Sequence, residues 1–116
     1  MSIPKYSNQK VPSEKENVEA LQARLTSEYA DQGLFTGVFE EAPGERSEPH
    51  RHEGATLLTL SGSAKVRLGE GDWQVVLPGD VTVIGDEQMH EVEAGENGWR
   101  YLFACSKIEA QRQGLT

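Results

Sequence analysis

Residues 44–62 read GERSEPHRHEGATLLTLSG, and two of the chain's three histidines, His50 and His52, stand one residue apart at the centre. Along a β-strand, alternate side chains share a face, so both imidazoles can converge on one point inside a curved sheet while Arg51 points outward. Neutral imidazole is the commonest protein ligand for transition metals, and a same-face pair is half of a metal site. The third histidine, His90, closes LPGDVTVIGDEQMH, which reads as a turn, a short strand and a further turn. If the two strands are neighbours, all three histidines meet.

The surrounding sequence predicts mainly strands. After Gly33, helix formers give way to β-branched and aromatic residues punctuated by glycine. Strands are expected near 35–41, 46–52, 55–61, 63–68, 73–77, 81–84, 90–94 and 98–106. Short, closely spaced strands without intervening helices indicate an antiparallel sandwich or barrel. In 63–68, Ala64, Val66 and Leu68 alternate with Lys65 and Arg67, the pattern of a half-buried strand. Pro78-Gly79-Asp80 is a turn that re-aims the chain toward His90, with proline presetting φ and glycine permitting positive φ. Upstream, Ser13 and Glu16 form a capping-box pattern, and Val18, Leu21, Leu25 and Tyr29 recur at helical spacing, which predicts a surface helix over about 14–32. Residues 1–12 read as an extended arm or a mobile tail. The expected organisation is an arm and helix over 1–33, a β-domain over 34–107 and a C-terminal tail over 108–116.

Composition narrows the partners. Nineteen acidic against eleven basic residues give the 116-residue chain a formal charge of −8, the wrong sign for coating a phosphate backbone or an anionic membrane. Neither nucleic acid nor membrane is therefore expected as a partner. No apolar stretch has the length of a bilayer span. The N-terminus lacks a secretory pattern and the single cysteine, Cys105, cannot form an internal disulfide, so a soluble, cytoplasmic protein is expected.

The two histidine segments resemble the motifs of the cupins, small jelly-roll barrels built around an internal metal. One is similar to Gly44, five residues, His50, one residue, His52, and a later glycine, Gly62; the other is similar to Gly79 followed eleven residues on by His90. The resemblance implies an all-β antiparallel jelly-roll (cupin) barrel carrying an N-terminal helix, with a divalent metal held by His50, His52 and His90. The sequence departs from the family in four places. Thr56 and Leu57 occupy the positions where a glutamate ligand commonly follows the histidine pair. Gly85 and Glu87 stand where proline and glycine are usual, and Ala94 where asparagine is frequent.

A site of three neutral imidazoles leaves a divalent ion its full charge and favours an anionic or chelating ligand. Fewer protein ligands also leave positions open for substrate, water or dioxygen. Within the resembled family such donor sets occur in iron-dependent dioxygenases, so the expected ion is Fe(II), with Zn, Ni or Mn as alternatives. The expected activity is oxygenation of a small anionic or chelating molecule; the alternatives are a non-catalytic small-molecule binding or sensing module and a metal-assisted isomerase or lyase. No catalytic residue beyond the metal ligands is singled out. On strand parity Glu48 is a candidate inward-facing replacement carboxylate, the alternative being a solvated or arginine-paired side chain, and Thr56 is either a hydrogen-bond partner for a metal-bound water or a β-former at a strand start. Leu58 and Leu60 share the parity of Thr56 and are expected to line the pocket. Tyr101, Phe103 and Cys105 alternate on the last strand; Tyr101 is expected to donate to substrate, and Cys105 to sit near the pocket or to act as a small core hydrophobe. An exposed sheet edge, together with the family's habit, predicts a homodimer.

Overall fold

A computed structural model of the protein describes residues 9–10 and 17–115. The elements in chain order are β1 (Gln9–Lys10), α1 (Val18–Asp31), β2 (Phe35–Glu41), β3 (Ala55–Leu68), β4 (Gln74–Val76), β5 (Asp80–Ile84), β6 (His90–Cys105) and α2 (Lys107–Arg112). The strands form one antiparallel sheet in the order β1-β5-β3-β6-β2, with β4 paired to β3.

Two long strands make the frame. The sequence predicts breaks at Gly62 and between residues 94 and 98, yet β3 and β6 run through both. Their pairing slips between Thr59 and Ser61 and again between Gly62 and Ala64. Such irregularities bend a strand without ending it. Gly62 sits at φ +71°, and a Cβ there would run into the carbonyl oxygen of Gly98, so glycine serves a bend and not a turn. The β3–β6 pair therefore contributes to both ends of the barrel. Its Ala55–Leu58 end also pairs with β5, and its Ala64–Val66 end with β4.

The helix α1 starts later than predicted. Asn17, in extended conformation, accepts the Ala20 amide at 2.7 Å and caps a helix beginning at Val18. Ser13 and Glu16, the predicted capping pair, lie outside the described residues. The helix ends by Gly33, at φ +78°, as its sequence implies. Leu21 and Leu25 are buried and, with Val18 and Tyr29, pack on Leu58, Leu60, Val81, Val83 and Leu102. The helix thus covers this protein's own sheet. The predicted turn at Pro78-Gly79-Asp80 is present, with Gly79 at φ +95° and the Asp80 carboxylate accepting the Leu77 amide at 2.9 Å.

The predicted tail is a helix over Lys107–Arg112. Ser106 caps α2 by accepting the Glu109 amide at 3.0 Å, and Ala110 is fully buried in a separate core cluster with Leu57, Val66, Trp99 and Phe103. Six residues are too few to form a stable helix from propensity alone, so this packing must hold it. The predicted arm is partly described: Lys10 and Gln9 pair with Asp80 and Val81, an extended segment added to the sheet.

Candidate metal centre

The histidine segment is held to the start of β6 without a regular ladder. A strand is predicted over 46–52, but only isolated bridges occur there, Arg46 opposite Glu93 and His50 opposite His90. Pro49 lacks an amide proton, and the Ser47 hydroxyl accepts the Val92 amide at 3.0 Å. Both interrupt a ladder. The His50–His90 bridge remains, with the amide of each residue donating to the carbonyl of the other at 2.9 Å. Residues so paired present their side chains on one face. The ring centroids are 4.1 Å apart for His50–His90, 4.7 Å for His52–His90 and 5.2 Å for His50–His52. One ligating atom from each of the three lies within 4.8 Å of the others.

Backbone carbonyls set the chemistry of these rings. Nδ1 of His50 lies 2.7 Å from the Glu48 carbonyl oxygen, Nδ1 of His52 2.6 Å from that of Glu53, and Nδ1 of His90 2.8 Å from that of Gln88. A carbonyl oxygen only accepts, so each Nδ1 carries the proton and each Nε2 is left as a lone pair. Partners of this kind fix tautomer and ring direction for metal binding. His90 is buried, His52 half-buried and His50 exposed, so the group lies between core and solvent. Burial pushes the His90 imidazole down to about 4; the Gln88 hydrogen bond opposes this, and the charges of His50 and His52 add to it. His90 is neutral at physiological pH, the form that ligates. Three soft-to-borderline nitrogen donors fit a divalent transition metal.

The histidines open on a cavity of about 210 Å³, room for a small molecule. Leu57, Ile84, Val92, Trp99, Tyr101 and Phe103 supply its apolar wall, and Glu41 and Glu45 stand on its rim. Tyr101 and Phe103 are among the residues that line it. The Tyr101 hydroxyl donates to Glu41 Oε1 at 3.0 Å, so the proton expected to reach a substrate is engaged within the protein. Burial, with Glu41 beside it, pushes the phenol well above its ordinary value. Burial and a hydrogen bond to Glu45, whose carboxyl that bond holds down, push the Glu41 carboxyl up, against the hydrogen bond that Tyr101 donates.

Several predicted pocket residues lie elsewhere. Thr56, Leu58 and Leu60 are buried, but Leu58 and Leu60 pack beneath α1, and the cavity takes Leu57 from the opposite face of β3. Both faces of Ala55–Leu60 are buried, so apolar character does not reveal which face holds the site. The Glu48 side chain is exposed and does not join the histidine group; its carbonyl is what it contributes. Among the described residues, that group contains no carboxylate. Cys105 is fully buried in the core cluster, and burial pushes its thiol up to about 11, the behaviour of a small hydrophobe. Trp99, which the sequence places at a strand start as a barrel-end or subunit-contact residue, is a wall residue that shares the parity of Tyr101 and Phe103. Its ring stacks on Tyr101 at 3.9 Å, and its Nε1 donates to Thr59 Oγ1 at 3.1 Å.

Comparison with known proteins agrees with this architecture. A family model described as the AraC-like ligand binding domain matches residues 32–103. No curated protein matches the chain. A cupin superfamily protein from Desulfitobacterium hafniense is 19% identical with a TM-score of 0.57, over 63% of this chain and 66% of that one. A cupin-like protein from Thermotoga maritima is also 19% identical, with a TM-score of 0.60 over 72% of this chain and 64% of that one. KdgF from a Halomonas species is 28% identical, with a TM-score of 0.53 over 62% and 68%. The chain covers 66%, 54% and 65% of the structures from D. hafniense, Halorhodospira halophila and Klebsiella pneumoniae. With the family model matching 32–103 of its 116 residues, the chain belongs to the AraC-like ligand binding domain family and is a small cupin.

Proposed function

We propose that this protein binds a small organic molecule at a divalent transition metal held by Nε2 of His50, His52 and His90. The observation that carries the reading is the uniform engagement of all three Nδ1 atoms by carbonyls, which leaves three lone pairs on rings whose ligating atoms lie within 4.8 Å of one another. Converging acceptors repel unless a cation stands between them. When bound, the ion supplies Lewis acidity to the part of the ligand it touches.

The rest of the cavity is this chain's own work. Leu57, Ile84, Val92 and Phe103 give it apolar walls, and low-dielectric surroundings strengthen any charge interaction at the histidines. Three neutral ligands leave the ion doubly charged, so an anionic or chelating head group suits it. Glu41, Glu45 and the Tyr101 oxygen on the other side accept hydrogen bonds, which suits a ligand with a donor at its far end.

The iron-dependent dioxygenase is an alternative reading, motivated by the carboxylate-free donor set and the cavity beside it. Fe(II) is the first candidate ion, with Zn, Ni and Mn behind it. The protein is proposed to work in the cytoplasm as a homodimer, with β2, which pairs along one edge only among the described residues, as the edge to be covered.

Metal analysis of protein purified without chelator, followed by titration with Fe(II), Zn(II), Ni(II) and Mn(II), tests the proposal. About one equivalent of a transition metal is expected. Failure of all four to bind at neutral pH would overturn it. Oxygen uptake by the iron-loaded protein with small carboxylates or catechols would favour the dioxygenase; ligand binding without uptake of oxygen favours the receptor.

A further inference from the structure

The three imidazoles are not held in the same way. His50 and His90 belong to a mutual backbone bridge, and each is oriented by the carbonyl two residues before it. The sheet itself fixes those two rings. His52 lies beyond the bridge, and its Nδ1 donates to the carbonyl of the residue that follows, Glu53. Residues 52–54 have no ladder partner among the described residues. Other elements hold them: the Glu87 amide donates to the His52 carbonyl at 2.8 Å, Asp86 Oδ1 accepts the Gly54 amide at 2.8 Å, and Glu109 Oε1 accepts the Glu53 amide at 3.0 Å.

Glu109 is the unusual member of this set. It is 4% exposed, on a six-residue helix remote in sequence from the histidines. Burying a carboxylate costs free energy unless its oxygens are bonded. Both are: Oε1 takes the Glu53 amide, and Oε2 accepts from Gln113 Nε2 at 3.0 Å. Burial opposes the charge, but those hydrogen bonds, with His52 and Arg112 nearby, hold the carboxyl below its ordinary value. Arg112 Nη1 lies 4.0 Å from both Glu109 and Glu53, joining the same residues from outside. Gln113 also lines the cavity.

We infer that Glu109 is a positioning residue for the metal centre: by gripping the Glu53 amide it fixes the carbonyl that sets the tautomer and direction of His52. The C-terminal helix is then part of the site. The inference rests on the metal-binding reading for its consequence, but the ring orientation it describes exists with or without a metal.

The test uses the full chain and two variants. Glu109→Met keeps most of the volume and removes both acceptors. Glu109→Gln keeps an oxygen for the Glu53 amide, and Gln113 can turn its amide to match. In metal-free protein, side-chain ¹⁵N shifts report the tautomer of each ring. Glu109→Met is expected to move the His52 signals toward mixed tautomers while those of His50 and His90 stay in place; Glu109→Gln should resemble the parent. Cobalt(II) titration should show a loss of affinity for Glu109→Met of at most about 10 to 100-fold, the effect of removing a direct partner of a ligand, since Glu109 acts one step further out, and less than about threefold for Glu109→Gln. Should Glu109→Met not fold, Glu109→Ala is read in the same way, and Arg112→Met provides the milder perturbation.

Unchanged His52 shifts in Glu109→Met would overturn the inference, as would equal losses in the Met and Gln variants, which would assign the effect to charge. If the parent binds no cobalt but the His52 shifts move as expected, the positioning inference stands and the metal-binding reading falls.

Discussion

The two faces of β3 are built from neighbouring residues and do different things. Leu58 and Leu60 face α1 in a cluster of Leu21, Leu25, Val81, Val83 and Leu102, with no histidine among them. Leu57, one residue away, faces the cavity with the three histidines, Trp99 and Phe103. Closing one face with a helix leaves the other free to hold polar groups at its rim, because the helix-side contacts already anchor the strand. The structure thereby separates the helix-side cluster from the histidines, while the cavity wall of Leu57, Ile84, Trp99 and Phe103 belongs to the second core cluster.

That separation can be broken by mutation. The largest expected effect is on binding: His90→Ala should weaken transition-metal affinity by more than about 100-fold, beyond the loss expected for a partner of a ligand. Thermal unfolding should stay cooperative. A variant that loads metal like the parent would contradict the division. On the other face, Leu58→Ala should cost about 2–5 kcal/mol in stability, measured by urea unfolding, because Leu58 is 1% exposed. Its metal affinity should be unchanged. A large fall in affinity would mean that the two faces are coupled.

A smaller effect concerns pH. The native His90 imidazole is held down to about 4, against an ordinary 6.5, so the unfolded chain binds more protons between these values. Stability of the metal-free protein should therefore be full above about pH 6.5 and fall as pH drops toward 4, with a slope from this group of at most about 1.4 kcal/mol per pH unit. His90→Gln should flatten that part of the profile. An unchanged profile would show that His90 is not the responsible group. Smallest is a backbone effect. Glu87 is at φ +57°, a left-handed conformation that costs a side-chain-bearing residue about 1–2 kcal/mol. Glu87→Gly should raise stability by about 0.5 kcal/mol after the entropy of glycine is counted. Lower stability would indicate that the Glu87 side chain makes contacts outweighing the strain.

Much of the site is legible in the chain, for specific reasons. His50 and His52 are two apart, and His90 follows a proline-glycine turn at the distance the resembled family uses, so spacing and resemblance together bring the three to one place. Glu87 is informative for the opposite reason: the resembled family has glycine there, and the structure shows the positive φ that makes glycine suitable. Residues 55–60 mislead because parity needs one polar face, and both faces of that segment are buried. Gly62 reads as a turn, since a glycine that permits a bend and one that permits a turn are alike in sequence. The helix α2 is hidden because its reasons are tertiary: Ala110 in the core and Glu109 on the histidine loop. Trp99 lies only one further step along a strand whose parity Tyr101 and Phe103 already define.

The central claim is that three imidazole Nε2 atoms share one cation without help from an acid. Anomalous diffraction from crystals of the metal-loaded protein, recorded at the edge of the bound element, tests it directly. One strong peak within bonding distance of His50, His52 and His90, with Glu41, Glu45 and Glu48 beyond coordinating reach, is the predicted result. A peak elsewhere, or one that a carboxylate or fewer than three of these rings coordinates, would contradict it.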